Sequence, residues 1–355
     1  MCFKIKNYDN SEKLYVITPI FNPNSFKSRK KLYKRFEERM LLTPNVILCT
    51  IECLFEGQKS IVKKNGNNHI VITMHSLDKL WLKENLINIA VSKLPKEAKY
   101  ISWIDADLEY HDFQWVNKTI NLLKEYPVVQ MFSSIDYIDN NNNKTHSNNS
   151  LIWGWNNGYS VLNGKQSCYN ENLSNLEQIK KKGQGYGWHG SPGGAWAYRR
   201  EIFEQLDGLI DFGIVGSGDS YSAFGMLGIV CSSLLNNSFN YNDDYVNSVK
   251  DWVKNAFEVV KGNIGLLDEK IYHNYHGETK DRQYWERNYI LCRNKFSPID
   301  SLYKNHLGLN QFNEGNDKLK EEVINYFESR KEDNNYIEEN EEVNKFENFM
   351  RRIFK

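Results

Sequence analysis

Residues 100–107 read YISWIDAD, and this stretch decides the fold class of the chain. The apolar residues from Tyr100 to Ile104 predict a short buried strand, which two aspartates follow directly. In an open α/β sheet, the residues after a strand lie in the crevice at the carboxyl ends of the strands, where ligands bind. Carboxylates there favour a hard divalent cation that keeps positions open for substrate phosphates. Because Asp-x-Asp also occurs in ordinary solvated turns, the metal site is a hypothesis that other residues must support.

The sequence on the amino-terminal side of this stretch alternates between strand and helix patterns. Apolar strands are predicted at residues 14–18, 46–51 and 69–74, and a basic helix at residues 26–42. A second helix, with Ser76 as its N-cap, is predicted to end at Pro95 and to lead into the strand at Tyr100. Strands that alternate with helices predict an α/β fold with a Rossmann-like, mostly parallel central sheet flanked by helices.

Composition narrows the class of protein further. The 355 residues are 40% hydrophobic, which is enough for a sizeable core, and 45 basic residues balance 45 acidic ones. A net charge of zero gives no overall attraction to nucleic acid or to an acidic membrane, so neither is expected as a partner. The chain shows no transmembrane run and no apolar signal segment at its start, and its six cysteines form no CxxC pair. These features predict a cytoplasmic protein that is not secreted.

Five motifs in a fixed order carry a resemblance to a known family. They are FNP at 21–23 followed by SR at 28–29, WIDAD at 103–107, GGAWA at 193–197, GSGD at 216–219, and HNYHG at 273–277. In this order they resemble GT-A-fold glycosyltransferases of a family 2-like type found in bacteriophages and giant viruses. The resemblance covers residues 12–312 and implies a GT-A domain there, followed by a charged helical tail at residues 313–355. If the chain is viral, the cytoplasm is that of the host.

Two histidines near the end of the matching region extend the metal hypothesis. His273 and His276 lie three residues apart after an apparent strand, and imidazole is a good ligand for Mn²⁺ beside a carboxylate, although a lone histidine is more often structural. The resemblance implies Asp107 and His276 as ligands of Mn²⁺ or Mg²⁺. The spacing also resembles a β-1,4-galactosyltransferase pattern, which adds His273, and Asp105 is then expected to act on the donor ribose or through water.

Asp219, in the segment GSGDS, is the candidate catalytic residue. Flanking glycines let the backbone approach a ligand closely, and a carboxylate there can take the proton of an acceptor hydroxyl as the oxygen attacks an anomeric carbon. The resemblance implies that Asp219 is this base in an inverting reaction. An ordinary turn aspartate is the alternative. Gly218 stands where related enzymes have glutamate, which leaves acceptor orientation open.

The resemblance also implies a set of donor-binding positions, some of which have simple structural explanations. Base and ribose contacts are expected from Thr18, Pro19, Phe21, Glu52, Lys83 and Asn88; phosphate contacts from Arg29, Lys280 and Arg282; and sugar contacts from Gly194 and Trp196. Trp153, Trp155 and Trp188 are further candidates for a sugar-stacking surface. Lys83 and Asn88 can equally belong to the solvated face of a helix, and some of the tryptophans are expected in the core.

The sequence therefore predicts a metal-dependent glycosyltransferase that moves a sugar from a nucleotide-sugar, with a UDP-sugar as the expected donor, to a hydroxyl of a glycan or another acceptor. A sugar-phosphate nucleotidyltransferase is one alternative, but it would need a glycine-rich loop after the first strand, and TPIFNPNSF has no glycine. A non-catalytic glycan-binding protein is the other. The charged tail is a candidate dimerisation element, so a homodimer is among the expected assemblies.

Overall fold

A computed structural model describes residues 12–157, 190–230, 239–284 and 286–333, except for the side chains of Thr279 and Lys280. Within these ranges the helices are α1 Lys27–Leu42, α2 Lys83–Lys93, α3 Trp115–Glu125, α4 Leu151–Asn156, α5 Arg200–Gln205, α6 Gly218–Met226, α7 Asp243–Val260, α8 Asn288–Arg293, α9 Pro298–Ser301 and α10 Asp317–Ser329. A short 3₁₀ helix spans Thr279–Arg282. No helix in the described ranges is both long and apolar enough to cross a membrane.

Strands form a central sheet, a second smaller sheet and a hairpin. They are β1 Leu14–Phe21, β2 Val46–Leu54, β3 His69–His75, β4 Tyr100–Ile104, β5 Leu108–Tyr110, β6 Val128–Gln130, β7 Ser134–Ile138, β8 Lys144–Asn149, β9 Ala195–Arg199, β10 Ile264–Leu266, β11 Lys270–His273, β12 Leu302–Lys304 and β13 Asn310–Phe312. The central sheet has seven strands in the order β10-β6-β9-β4-β1-β2-β3, and all neighbours are parallel except those of β9. The predicted α/β class with a mostly parallel sheet is confirmed.

The central sheet is buried on both faces because its side chains alternate between two apolar clusters. On β1, Leu14 and Val16 pack into the cluster that contains α1 and α3, whereas Tyr15 and Ile17 pack into the cluster that contains α2. Strand β4 is buried along its whole length, which explains why its pattern is continuously apolar. The sheet thus holds the carboxyl end of β4 at a fixed position inside the molecule.

The prediction for the start of α2 is wrong. Ser76 does not cap the helix: its hydroxyl donates to the carbonyl of Asp78 at 2.7 Å, and α2 begins only at Lys83. The intervening chain is held elsewhere, since the amide of Trp81 donates to the carbonyl of Ile214 at 2.9 Å. The late start of α2 puts Lys83 and Glu84 in its first turn.

The second sheet, in the order β5-β11-β7-β8, adjoins the carboxyl end of β4. Asp105 to Asp107 form the turn between β4 and β5, and β11 lies antiparallel to β5 with His273 opposite Leu108. This pairing brings the end of β11 next to the aspartates, although more than 160 residues separate them in the sequence.

The segment after α10 returns to the start of α1. Asp333 accepts the amides of Lys27 and Ser28 at 2.8 and 2.9 Å, so a carboxylate from the end of the described chain caps α1. The division into residues 12–312 and 313–355 stays a prediction, and residues 334–355 of the predicted helical tail lie outside the described residues.

Candidate functional site

Asp107, His273 and His276 converge at the junction of the two sheets. Oδ2 of Asp107 lies 2.9 Å from Nε2 of His276 and 3.8 Å from Nε2 of His273, and one donor atom from each residue lies within 4.8 Å of the others. The backbone enforces this arrangement, because the amide and the side chain of Asn274 both donate to the carbonyl of Asp107, at 2.8 and 3.1 Å. The three residues therefore present one oxygen and two nitrogens to a common point.

The electrostatics of this cluster suit a divalent cation. Burial would raise the pKa of Asp107, but the two histidines lower it well below its usual range, so the carboxylate is ionised. Burial lowers the pKa of His273 to about 3, so its ring is neutral and can offer a lone pair. Neither ring nitrogen of His276 forms a well-aligned hydrogen bond among the described residues, although Nε2 lies 2.9 Å from Asp107 Oδ2. A carboxylate oxygen with two imidazole nitrogens is a suitable ligand set for a divalent transition-metal ion.

Glu332, which the sequence interpretation did not single out, lies on the other side of His276. Its Oε2 is 3.6 Å from Nδ1 of His276. Arg29, expected to reach a phosphate, instead pairs with Glu332: Nη2 of Arg29 donates to Oε1 at 2.8 Å, and Nε donates to Oε2. The guanidinium of Arg29 is thus engaged within the protein, about 300 residues along the chain from its partner.

A second cluster of charges, around Lys83, adjoins the first. Nζ of Lys83 lies 2.8 Å from Asp105, 3.6 Å from Asp219 and 4.4 Å from the ring centre of Trp103. Burial raises the pKa of Asp105 to about 6, even though Lys83 pulls it down. Lys83 contacts both Asp105 and Asp219, and Asp105 is only two positions before Asp107. Lys83 therefore lies between the candidate metal ligands and Asp219, the candidate base.

Asp219 is presented by the first turn of α6. The residue before this helix, Ser217, has a positive φ of 79°, and the amide of Ser220 donates to Oδ1 of Asp219 at 2.7 Å. The other carboxylate oxygen packs against Gly193, where an added Cβ would lie 2.4 Å from Oδ2. The neighbouring Gly194 has a φ of +100° and accepts the amide of Asp105 through its carbonyl at 2.9 Å. The GGAWA and GSGD motifs therefore meet at the Asp219 carboxylate.

Glu84, also absent from the predicted site, lies beneath Asp219. Its side chain is 3% exposed, and Oε1 has no hydrogen-bond partner in the part of the chain that the structure describes. Burial, together with the nearby negative charge of Asp219, raises the pKa of Glu84 to about 8, against the opposing effect of Lys83. The carboxyl group is thus largely protonated at neutral pH. Glu84 reaches this place because α2 begins only at Lys83. The sequence pattern predicted an earlier start for α2 and gave no indication that Glu84 lies beside Asp219.

Three residues that were predicted to contact the nucleotide-sugar donor instead form hydrogen bonds within the protein. Glu52 accepts the amide of Ile61 at 2.9 Å and the hydroxyl of Ser60. The side chain of Asn88 exchanges two hydrogen bonds with the backbone of Leu209, at 2.9 and 2.8 Å. Trp196 is only 1% exposed, and its Nε1 donates to the carbonyl of Pro192 at 2.8 Å, so its ring offers no open face for a sugar.

The predicted contacts on β1 lie at its carboxyl half. Thr18 is fully buried, and its hydroxyl has no hydrogen-bond partner within the described ranges. Pro19 is partly exposed, whereas Phe21 is buried and packs edge-on against Trp81 with ring centres 5.2 Å apart.

Of the other residues predicted to contact the donor, some lie within the described ranges and some do not. Arg282 is half-buried, and its Nη1 donates to the hydroxyl of Tyr284 at 3.1 Å. Its positive charge contributes to the low pKa of Asp107, so it lies near the candidate metal site. Trp153 and Trp155 lie half-buried on α4. The side chain of Lys280 and all of Trp188 lie outside the described residues.

Residues 59–207 match the family described as glycosyl transferase family 2. The protein is a glycosyltransferase. The match covers less than half of the chain: it includes Lys83, Asp105 and Asp107, and it ends before Asp219 and the two histidines. The fold has the α/β layout with a mostly parallel sheet that GT-A glycosyltransferases share. No curated protein matches this chain.

Two solved structures of a Drosophila enzyme are similar to this glycosyltransferase at low identity. The catalytic domain of β1,4-galactosyltransferase 7 in complex with xylobiose is 11% identical, with a TM-score of 0.35. A mutant of that enzyme in complex with manganese, UDP-Gal and xylobiose is 10% identical, with a TM-score of 0.33. Each similarity covers 87% of the present chain and 97% of the other. With TM-scores below 0.5, these structures do not bear on the donor, ion or acceptor of the present chain.

Proposed function

We propose that this glycosyltransferase moves a sugar from a nucleotide-sugar donor to a hydroxyl group of a glycan or another acceptor, in a reaction that depends on a divalent metal. The observation that carries the proposal is the proximity of two groups of side chains: Asp107 with the two histidines, and Asp219, joined through Asp105 and Lys83. Uridine diphosphate is the proposed nucleotide because the five sequence motifs resemble enzymes that use it.

Asp107, His273 and His276 would hold the metal, with Mn²⁺ preferred over Mg²⁺ because two of the three ligands are imidazoles. When bound, such an ion supplies positive charge to the diphosphate of the donor. The half-buried guanidinium of Arg282 lies near the same region and adds a second positive charge there. Arg29 is not part of this set, since Glu332 engages its guanidinium.

Asp219 is the proposed general base. Its Oδ1 is fixed by the amide of Ser220, while its side chain is 27% exposed and remains reachable by an acceptor. The acceptor oxygen forms a bond to the anomeric carbon as the bond from that carbon to the diphosphate breaks, and the acceptor proton passes to the Asp219 carboxylate. Attack on the face opposite the leaving group would invert the configuration at the anomeric carbon.

A nucleotide-release assay tests this proposal directly. The protein is incubated with Mn²⁺ and each common nucleotide-sugar, and the released nucleoside diphosphate is measured by coupled absorbance. We expect release from a UDP-sugar that stops with EDTA and returns with added Mn²⁺.

The Asp107→Ala variant is expected to show no return of activity, because it lacks the only carboxylate of the ligand cluster. Glu328→Gln, at a glutamate whose side chain is 57% exposed, serves as the matched acidic control and should behave as wild type. Release from none of the donors, or release that EDTA leaves unchanged, would contradict the proposal.

A further inference from the structure

Glu332 is a buried carboxylate near the candidate metal site, and it pairs with two arginines. Its side chain is 1% exposed, and it receives Arg29 on one side and Arg330 on the other, with Nε of Arg330 donating to Oε1 at 2.9 Å. The contacts with both guanidinium groups favour the ionised carboxylate. Two fixed guanidinium groups leave this carboxylate little freedom to move.

The same carboxylate faces the back of His276. Oε2 lies 3.6 Å from Nδ1, whereas Nε2 on the opposite edge of the ring lies 2.9 Å from Asp107. With a metal ion between Nε2 and Asp107, the negative charge beside Nδ1 would favour the tautomer that carries its proton there, which leaves the lone pair of Nε2 for the ion. The 3.6 Å separation is an electrostatic contact rather than a hydrogen bond.

The segment that carries Glu332 is fixed to the histidine motif and to α1. Gly277, which follows His276, has a φ of +94°, and an added Cβ there would lie 2.7 Å from the carbonyl of Lys331 and 2.9 Å from Cα of Glu332. The hydroxyl of Ser28 donates to the carbonyl of Glu332 at 3.2 Å, beside the cap that Asp333 provides for α1. Residues 331–333 thus lie directly against the HNYHG turn.

We propose that Glu332 is a positioning residue of the metal site: it orients the His276 ring and sets its tautomer, so that the carboxyl-terminal segment is a working part of the active site. The inference rests on the proposed function, because it requires that His276 binds metal. Groups that hold a metal-ligating histidine from behind contribute substantially to metal affinity, and their loss costs about 10- to 100-fold.

Isothermal titration of Mn²⁺ into the full-length protein in the presence of UDP tests this role without relying on turnover. We expect Glu332→Gln to weaken Mn²⁺ binding by about 10- to 100-fold. Glu328→Gln, on α10 just before the segment that carries Glu332 and exposed, is expected to leave the Mn²⁺ dissociation constant unchanged. The visible absorption spectrum of the Co²⁺-loaded protein gives a second measurement, and it should change with Glu332→Gln and not with Glu328→Gln.

Removing the charge of Glu332 also leaves the buried Arg330 and the partly buried Arg29 without their partner, so stability is measured alongside. Glu332→Asp keeps the charge for the arginines and draws the carboxylate back from His276, so it should fold and still bind Mn²⁺ more weakly than wild type. If folded Glu332→Gln or Glu332→Asp binds Mn²⁺ as tightly as wild type, the inference is wrong while the proposed function stands. If the wild-type protein binds no Mn²⁺, the proposed metal site itself is wrong.

Discussion

Replacing Glu84 with glutamine should make the protein more stable, by an amount that grows with pH. Glu84 is 3% exposed, and burial raises its pKa from 4.5 to about 8. Between these values the unfolded chain has released the proton and the folded chain has kept it, so the stability of the wild type falls as pH rises. Glutamine has nearly the same shape as the protonated carboxyl group and cannot ionise, so the variant escapes this loss.

The magnitude follows from the two pKa values of Glu84. Each unit of difference corresponds to about 1.4 kcal/mol, so the full difference between 4.5 and about 8 amounts to about 5 kcal/mol. The variant and the wild type should be equally stable below about pH 4.5. The advantage of the variant should reach about 3 kcal/mol at pH 7 and level off near pH 8.

Urea unfolding monitored by tryptophan fluorescence at pH 5, 6, 7 and 8 measures this difference. All other titrating groups are common to the two proteins, so subtraction isolates the contribution of Glu84. Glu328→Gln, at an exposed site, should change stability by no more than about 0.5 kcal/mol. If the stability difference between Glu84→Gln and wild type is the same at pH 5 and pH 8, Glu84 ionises alike in the folded and unfolded states and the prediction is wrong.

Two further substitutions test the Asp219 carboxylate. Asp219→Asn keeps the shape of the side chain but cannot accept a proton, so we expect sugar transfer to fall by about 10²- to 10⁴-fold. The binding of Mn²⁺ and UDP, measured by calorimetry, should stay near wild type. Normal transfer would rule out Asp219 as the base. Gly193→Ala adds a methyl group whose carbon would lie 2.4 Å from Asp219 Oδ2, so the carboxylate must shift. Transfer should fall by about 10²-fold with an unchanged circular dichroism spectrum, and wild-type kinetics would show that the exact position of the carboxylate is unimportant.

The central sheet could be predicted from the sequence because its signals are local. The strand at Tyr100–Ile104 has the predicted bounds, since a fully buried strand reads as one apolar run. The start of α2 could not be predicted from Ser76, whose side chain has the right chemistry for a cap but is used by a neighbouring carbonyl. Capping residues and turn residues share the same chemistry, so sequence alone does not distinguish the two uses.

The site was harder to predict where a partner lies far away in the chain. Arg29 follows the start of α1 and has the chemistry of a phosphate ligand, but Glu332, some 300 positions later, engages it. Trp196 follows two glycines, as a sugar-stacking ring could. Its strand, β9, lies in the middle of the central sheet, and the ring is buried there. In both cases, long-range packing decides whether a side chain faces a ligand or the protein.

The absence of a side chain at Gly218 is explained by the same long-range packing. An added Cβ at this position would lie 2.7 Å from the carboxyl carbon of Glu84 and 2.7 Å from the carbonyl of Ile210, so residue 218 has no room for a larger residue. The carboxyl group beside Asp219 comes from Glu84 on α2. Because Glu84 is largely protonated at neutral pH, it can lie against Asp219 without a full like-charge repulsion. Lys83 lies 3.6 Å from Asp219 and 2.8 Å from Asp105, so a single lysine pairs with both the candidate base and the aspartate beside the candidate metal site.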